Sequence, residues 1–348
     1  MTWRRLLAAG TTRQWRPPLE DINREARQFG GGVRGEVEQV ALHARVHHET
    51  INWLVLTDCS NALNTVKRMA VLAEAAACVP ALTPFIPKGH GDRPAPVFSQ
   101  MDSGQRRNVE CSSGVQQGDA MGPALFCMPL LPVLKRIREE FERRDVEVFA
   151  YLDDISIGMS EIKPDTVRAA PVLQHELCKI GITMNPSKSV ALPPKGMYLH
   201  WKRLHSWGAS VFALLKGGRV KVVGVPMGND AFAMNSALEI VRDGVAEQLA
   251  RIIPRTPDKQ SANHIATSSM VKRTSYIERV VDPELSLPAC QRADTRAMWM
   301  LKRLLELPGT ADESSFFEDR CPANRLTLQP HQKVRASFST GARGVGLS

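Results

Sequence analysis

Two adjacent carboxylates, Asp153 and Asp154, follow a run in which apolar side chains alternate with others. The period of two over residues 146–152 predicts a β-strand, and residues 155–159 supply a return strand. Asp153 and Asp154 are then expected to form the two-residue turn of a hairpin, where glycine would be favoured in second place. Two carboxylates this close repel each other unless a cation lies between them, which favours a divalent metal site. An exposed acidic turn is the alternative interpretation.

A third carboxylate, Asp58, ends the short apolar run of residues 53–57. A strand of valine and leucine that ends in an acid is how metal-dependent enzymes place a ligand at a rigid sheet edge. Residues 61–78 are predicted to be helical, so Asp58 could instead cap that helix.

A glycine-rich loop over residues 111–123 lies between Asp58 and the acidic pair and contains Gln116 and Gln117. Its glycines keep side chains away from an approaching ligand, and the two amides can hydrogen-bond base edges or sugars. A helix is expected to begin at Pro123, and the prolines within it predict a kink or an early stop.

Composition limits the function classes. The 348 residues suffice for about two domains, and 45 Lys plus Arg against 36 Asp plus Glu give a net charge of +9, which makes a phosphate-rich partner plausible. The 7 cysteines show no metal-ligand spacing and are typical of a reduced, intracellular protein. No apolar run approaches the length of a membrane span, so we expect no membrane partner.

In this order and spacing, the three motifs resemble the palm of reverse transcriptases, and more narrowly those of non-LTR retrotransposons. The shared hallmarks are a strand-borne Asp followed by Ala-aromatic, a Gly-x-x-Gln-Gly-Asp loop ending in Gly-Pro, and an aromatic-x-Asp-Asp hairpin. Residues 181–189 match a later Asn- and Lys-containing segment, and residues 222–228, with Gly224, match the primer-gripping turn. Residues 28–44 match a glycine-rich stretch upstream, so the resemblance covers roughly residues 28–307.

The resemblance implies an α+β fold, a right-hand polymerase palm made of an antiparallel sheet with helices on one face, followed by a helical thumb. It also implies RNA-directed DNA polymerase activity, with two Mg²⁺ or Mn²⁺ ions assisting nucleotidyl transfer to a primer 3′-oxygen. Asp58 and Asp153 would bridge the metals, Asp154 would support them, and Lys188 would lie near the leaving pyrophosphate.

The implied partners are an RNA template, a DNA primer and dNTPs, in an intracellular and nuclear setting without a clear targeting signal. The implied substrate-binding residues are Leu63, Tyr151, Gln116, Gln117 and Gly118. Leu63 stands where the family usually has Phe or Tyr, the ring that excludes a 2′-hydroxyl. The choice between dNTPs and rNTPs is therefore open.

A late helix, predicted from about residue 289 to 307, places Arg292, Arg296, Trp299 and Arg303 on one side. In a polymerase thumb this face would lie along template–primer phosphates, with the tryptophan free to stack. A solvated basic face is the alternative.

These patterns predict four segments: a basic, poorly ordered arm over 1–27, a palm with a remnant of the fingers over 28–230, a helical thumb over 231–308 and a polar tail over 309–348. Because few residues precede Asp58 and no endonuclease motif is present, we expect part of a larger element protein, with an endonuclease supplied elsewhere. The rival hypothesis is a catalytically inactive, truncated reverse-transcriptase-like protein that only binds nucleic acid. The three aspartates favour the enzyme, and Leu63 favours the rival.

Overall fold

The computed structural model describes residues 3–304, apart from residues 34, 51–52, 87–94, 101–105, 112, 117, 143–144, 162, 195–212, 215–218, 242–255 and 257. The chain divides into two compact units, Met1–Gly218 and Arg219–Ser348. This division falls earlier than the boundary after residue 230 that the sequence suggested.

Helices and strands are mixed along the first unit, as the predicted α+β class requires. In chain order they are α1 (Trp3–Glu25), α2 (Glu36–Glu49), β1 (Trp53–Thr57), α3 (Ala62–Thr65), α4 (Arg68–Cys78), a 3-10 helix (Pro80–Phe85), β2 (Ala95–Gln100), β3 (Arg106–Cys111), α5 (Gly122–Cys127), α6 (Leu130–Phe141), β4 (Val146–Tyr151), β5 (Asp154–Met159), α7 (Pro164–Val167), α8 (Ala169–Lys179), β6 (Val190–Leu192) and β7 (Ala213–Leu214). Strands β2 and β3 form a separate two-stranded sheet.

The N-terminal segment differs from the predicted poorly ordered arm, since Trp3–Glu25 is one helix that continues through its two prolines. Leu19 is buried, and Trp15 and Ile22 pack against the main core. Tertiary packing of such a face stabilises a helix whose sequence has little periodicity of its own.

The main sheet has five strands in the order β4-β5-β1-β6-β7. All pairs are antiparallel except β6 with β7, which is parallel. Strand β1 lies in the centre, and its Trp53, Leu54 and Val55 are all buried. A continuous apolar run of this kind is typical of a strand that is covered on both faces.

Helices cover both faces of this sheet, which corrects the prediction of helices on one face only. On one face Val55, Val148 and Ile157 join a core that also contains residues of α5, α6 and α8. On the other face α2 covers Phe149, whose ring stacks on His47 with centroids 5.8 Å apart. Because Phe149 is fully buried, that face also needs a helix over it.

The helix that follows the glycine-rich loop is interrupted near Pro129, as predicted. Helix α5 ends at Cys127 and α6 begins at Leu130, with Pro129 as the residue before it. Proline lacks the backbone N–H that an uninterrupted helix would need. The helix predicted over residues 61–78 is divided into α3 and α4.

The second unit consists of a small hairpin followed by helices. Its elements are β8 (Val220–Val222), β9 (Val225–Met227), α9 (Asp230–Val241), α10 (Lys259–Val280) and α11 (Pro283–Leu304). Val223 and Gly224 form the hairpin turn with φ of 43° and 87°. The Tyr276 hydroxyl donates a hydrogen bond to the Val223 carbonyl at 2.8 Å. The predicted hairpin is therefore present, and its identification with a primer grip stays a prediction.

The described helices were also compared with the requirements of a membrane span. Within the part of the chain that the structure describes, no helix combines the length and apolar character needed to cross a bilayer.

Candidate active site

The acidic hairpin is formed by β4 and β5, but its turn lies one residue earlier than predicted. Tyr151 pairs with Asp154, so Leu152 and Asp153 are the two turn residues and Asp154 begins β5. Leu152 adopts a left-handed conformation with φ of 54°. The sequence did not indicate this turn because a bulky residue rarely takes a positive φ.

The end of β1 brings the third carboxylate to the same place. Thr57, the last residue of β1, pairs with Ile155 of β5. Asp58 follows directly, beside the start of β5 where Asp154 lies. The alternative in which Asp58 caps the next helix is wrong, since the N-cap residue of α3 is Asn61.

The three carboxylates influence one another electrostatically. Burial raises the pKa of Asp153, and the negative charge of Asp58 raises it further. Burial and the charges of Asp153 and Asp58 raise the pKa of Asp154 to about 6. Such shifts arise when like charges share a small space, and a bound cation would relieve the repulsion.

The carboxylates of Asp58, Asp153 and Asp154 are suitable ligands for a hard divalent cation, although they do not enclose a metal position on their own. Carboxylate oxygens are the ligands that Mg²⁺ prefers. Among the residues that the structure describes, no three His, Cys, Asp or Glu side chains are already gathered as a metal-binding group. Mg²⁺ is usually held by one or two carboxylates together with substrate phosphates and waters, so an open carboxylate site fits the ion.

Residues 183–189 fasten the end of β1 from the side opposite to the hairpin. The Asn185 N–H donates to the Asp58 carbonyl at 2.7 Å, and the Ser60 N–H donates to the Thr183 carbonyl at 2.8 Å. The Ser189 hydroxyl accepts from the Asp58 N–H at 3.1 Å and donates to the Asn185 carbonyl at 2.8 Å. These bonds hold both the N–H and the carbonyl of Asp58 in place.

Lys188 lies in this segment, close to the carboxylate of Asp58. Its predicted place beside the leaving pyrophosphate stays a prediction. Its Nζ is 4.0 Å from Oδ2 of Asp58, and 68% of its side chain is exposed. The ammonium is therefore near the acidic site and free to turn towards solvent.

The glycine-rich loop is attached to the helix that follows Asp58. The Val115 N–H donates to the Leu63 carbonyl at 2.8 Å. The buried Arg68 donates from Nε to the Gly114 carbonyl at 3.0 Å. Gly114 has φ of 75°, and a Cβ there would lie 2.6 Å from the backbone of Asn64. Only glycine permits this close approach.

The predicted substrate-binding residues of the first unit differ in their exposure. Leu63 packs against the core as a partly buried side chain, and Gln116 is also partly buried. Gly118 is exposed with φ of 80°. Tyr151 is partly buried as the last residue of β4. Gln117 lies outside the described residues.

The predicted nucleic-acid-binding residues lie in the second unit. Gly224 is in the β8–β9 turn, and Arg292 is a partly buried residue of α11. The side chains of Arg296, Trp299 and Arg303 lie outside the described part, so the basic face they would form stays a prediction.

With this geometry in view, the chain was compared with known proteins. Residues 18–203 match the family model described as "Reverse transcriptase (RNA-dependent DNA polymerase)". The chain belongs to the reverse transcriptase family. The predicted kinship with reverse transcriptases of non-LTR retrotransposons and the α+β fold class are thereby confirmed, and the family generally uses divalent metal ions.

One curated relative of this chain is the retrotransposable element SLACS 132 kDa protein of Trypanosoma brucei gambiense. The two are 28% identical over 188 residues, which are 49% of this chain and 14% of that protein. The match thus spans about a seventh of the relative's length.

Solved structures with a similar shape include telomerases. Apo telomerase from Candida tropicalis gives a TM-score of 0.49 at 12% identity, over 86% of this chain and 54% of that one. Telomerase from Candida albicans in complex with a TWJ fragment of telomeric RNA gives 0.43 at 7% identity, over 84% and 51%.

The sequence patterns did not indicate the residues that act through backbone contacts. Gln28, Arg68 and Ser189 are all buried and hydrogen-bond the segments that carry the predicted site. Arg68 offered one signal, since a charged residue at the start of the mostly apolar α4 must find polar partners if it is buried. Ser189 carried no comparable signal.

Substitution of Ser189 tests how the end of β1 is fixed. In Ser189→Ala the buried N–H of Asp58 loses its acceptor, so we expect the free energy of unfolding to fall by about 1–2 kcal/mol. Ser187→Ala is the matched control, because the exposed Ser187 hydroxyl bonds only the Asn185 side chain and should change stability by less than about 0.5 kcal/mol. Urea unfolding of the three proteins gives the comparison. Equal effects of the two substitutions would contradict the role of Ser189.

Proposed function

We propose that this chain catalyses RNA-templated transfer of deoxynucleotides to a primer 3′-oxygen at the site formed by Asp58, Asp153 and Asp154. The observation that supports it is the joint position of these carboxylates at the end of β1 and the β4–β5 turn, where burial and the neighbouring negative charges raise the pKa values of Asp153 and Asp154. Three acids that two separate segments of the chain bring this close are poorly explained by stability, because their repulsion opposes folding.

Two Mg²⁺ or Mn²⁺ ions, when bound, would neutralise the charge that builds up on the attacking and leaving oxygens. Asp58 and Asp153 are the residues that would bridge them, and Asp154 would support the site. The hydrogen bonds around Asp58 hold its backbone in place before any ligand arrives. Such preorganisation is what makes electrostatic catalysis effective.

Lys188 is proposed to stabilise the leaving pyrophosphate. Its ammonium is close to Asp58 and largely exposed, so it can turn from the carboxylate to a phosphate. A positioned cation or proton donor at a leaving group is a common contribution to phosphoryl transfer.

The residues proposed to contact the nascent base pair are Leu63, Gln116, Gln117, Gly118 and Tyr151. The attachment of the glycine-rich loop to Leu63 and Arg68 supports this role, because it links the loop to the segment that carries Asp58. The net charge of +9 suits an RNA template and a DNA primer as partners.

Primer extension on an RNA template with Mg²⁺ or Mn²⁺ tests the proposal. Asp153→Asn removes a bridging carboxylate, and we expect the rate to fall on the order of 10²-fold or more. Asp165→Asn is the matched control, since Asp165 is an exposed acid in the first turn of α7 and its loss should leave extension unchanged.

Three outcomes separate the enzyme from its rival. Metal-dependent extension that Asp153→Asn abolishes supports the proposal. Extension that is equal in wild type and Asp153→Asn contradicts it. No extension by wild type, combined with salt-dependent binding of an RNA–DNA duplex, identifies a reverse-transcriptase-like protein that only binds nucleic acid.

Replacement of Leu63 tests whether this position selects the sugar. Leu63 lies in α3, shortly after Asp58 in the chain. We expect an aromatic ring at this position to approach the 2′ position of the incoming nucleotide. We expect Leu63→Phe to reduce rNTP incorporation by about tenfold and to leave dNTP incorporation nearly unchanged. Leu72→Phe, a partly buried leucine of α4, is the control. Single-nucleotide incorporation with matched dNTP and rNTP gives the ratio, and an unchanged ratio in Leu63→Phe would remove the role.

A further inference from the structure

The turn that carries Asp153 contains an unfavourable conformation that its own residues do not explain. Leu152 has φ of 54°, a region that leucine seldom adopts. A residue of this kind keeps such a conformation only where its surroundings determine it. The groups that surround Leu152 are therefore of functional interest.

The side chain of Gln28 bonds both polar backbone groups of Leu152. Its Nε2 donates to the Leu152 carbonyl at 3.0 Å, and its Oε1 accepts from the Leu152 N–H at 2.9 Å. The same Oε1 accepts from the Gly30 N–H at 3.0 Å. Gln28 is fully buried, with 0% exposure, so water does not compete for these bonds.

The backbone around Gln28 fixes this side chain in register with β4. The Ala150 N–H donates to the Arg27 carbonyl at 2.9 Å, and the Phe29 N–H donates to the Ala150 carbonyl at 2.7 Å. Arg27 also forms an ion pair with Glu147 of β4. Residues 27–29 thus lie along the edge of β4 like a short additional strand.

Gly30 brings the backbone of the same loop close to Leu152. A Cβ at Gly30 would lie 2.5 Å from the Leu152 backbone nitrogen and 2.7 Å from its Cγ. The loop therefore contacts Leu152 through its backbone as well as through the Gln28 amide. A primary amide is the one type of side chain of this length that supplies both a donor and an acceptor without charge.

We propose that Gln28 is a positioning residue that holds the Leu152–Asp153 turn, and with it the Asp153 carboxylate, in the geometry used for metal binding and nucleotide transfer. The proposal rests on the function proposed above. Gln28 acts through Leu152 and contacts neither substrate nor metal. Displacement of a reacting group by about 1 Å can cost about 10²-fold in rate, so a loosened turn is expected to lower kcat strongly.

The substitution that tests this role is Gln28→Met, which keeps the length of the side chain and removes the three hydrogen bonds. Thr166→Val is the matched control. Thr166 is a buried residue of α7, outside the hairpin, and its hydroxyl also takes part in three hydrogen bonds to backbone groups. Hydrogen exchange of the Leu152 amide in the absence of ligands reports directly on the turn. We expect exchange at Leu152 to be at least about tenfold faster in Gln28→Met and unchanged in Thr166→Val, because only the first loses the bonded acceptor.

Single-nucleotide incorporation supplies the kinetic readout. In Gln28→Met we expect kcat to fall about 10²-fold while KM for the dNTP stays within about threefold of wild type, since the turn affects the reacting geometry more than ground-state binding. Thr166→Val should retain the kcat of wild type. A loss of kcat that is equal in the two variants, or Leu152 exchange that is unchanged in Gln28→Met, would overturn the positioning role.

Two further measurements keep the test decisive. If Gln28→Met does not fold, Gln28→Glu takes its place. Because it keeps the acceptor for the Leu152 N–H and loses only the donor to the Leu152 carbonyl, kcat is then the deciding readout. A fall in kcat that Thr166→Val does not show supports the positioning role, and a kcat equal to that of wild type overturns it. If wild type shows no extension, the proposed function fails, and Mn²⁺ binding followed by electron paramagnetic resonance decides the role of Gln28. Weaker Mn²⁺ binding in Gln28→Met than in Thr166→Val supports it, and equal binding overturns it.

Discussion

The antiparallel pairing of β1 with β5 is the interaction on which the rest of the site depends. It sets Thr57 opposite Ile155 and so places Asp58 beside the turn that carries Asp153. A shift of one residue would turn every side chain of a strand to the opposite face of the sheet. Because Leu54 and Val55 are both fully buried, and face opposite sides, the core opposes such a shift. The packing of apolar side chains therefore determines where the acidic side chains meet.

The acids repel one another, and the surrounding segments hold them in spite of it. Asp58 is held through its backbone by residues 183–189, and the hairpin turn is held through Leu152 by Gln28. Neither arrangement uses the carboxylate oxygens of Asp153, which leaves that side chain available for ligands. Arg68 of α4 donates a hydrogen bond to the Gly114 carbonyl and so attaches the glycine-rich loop to the helices that follow Asp58. Stability and function therefore depend on different groups. Buried amide, hydroxyl and guanidinium groups hold the backbone in place, and the partly exposed acids are available for catalysis.

Much of the fold and of the candidate site could be predicted from the sequence, and the predictions that were wrong have a common cause. The strand before Asp58, the acidic hairpin and the break at Pro129 follow from local patterns of apolar residues and proline. The turn at Leu152 was misplaced because its left-handed conformation is stabilised by Gln28, which lies 124 residues earlier in the chain. Helix α1 and the position of α2 on the second face of the sheet also depend on contacts between distant segments. Single-sequence patterns report local preference, and tertiary packing overrides it at these places.

The central claim is that the end of β1 and the β4–β5 turn form one site for divalent ions. Iron-directed backbone cleavage of the full chain in the presence of hydrogen peroxide and ascorbate tests this most directly. Fe²⁺ bound in place of Mg²⁺ reduces the peroxide to hydroxide and a hydroxyl radical that cuts the backbone beside the ion, and ascorbate returns Fe³⁺ to Fe²⁺. We expect cuts beside Asp58 and beside Asp153 in the same sample, both suppressed by excess Mg²⁺. Cleavage at only one of these two positions, or at neither, would contradict it.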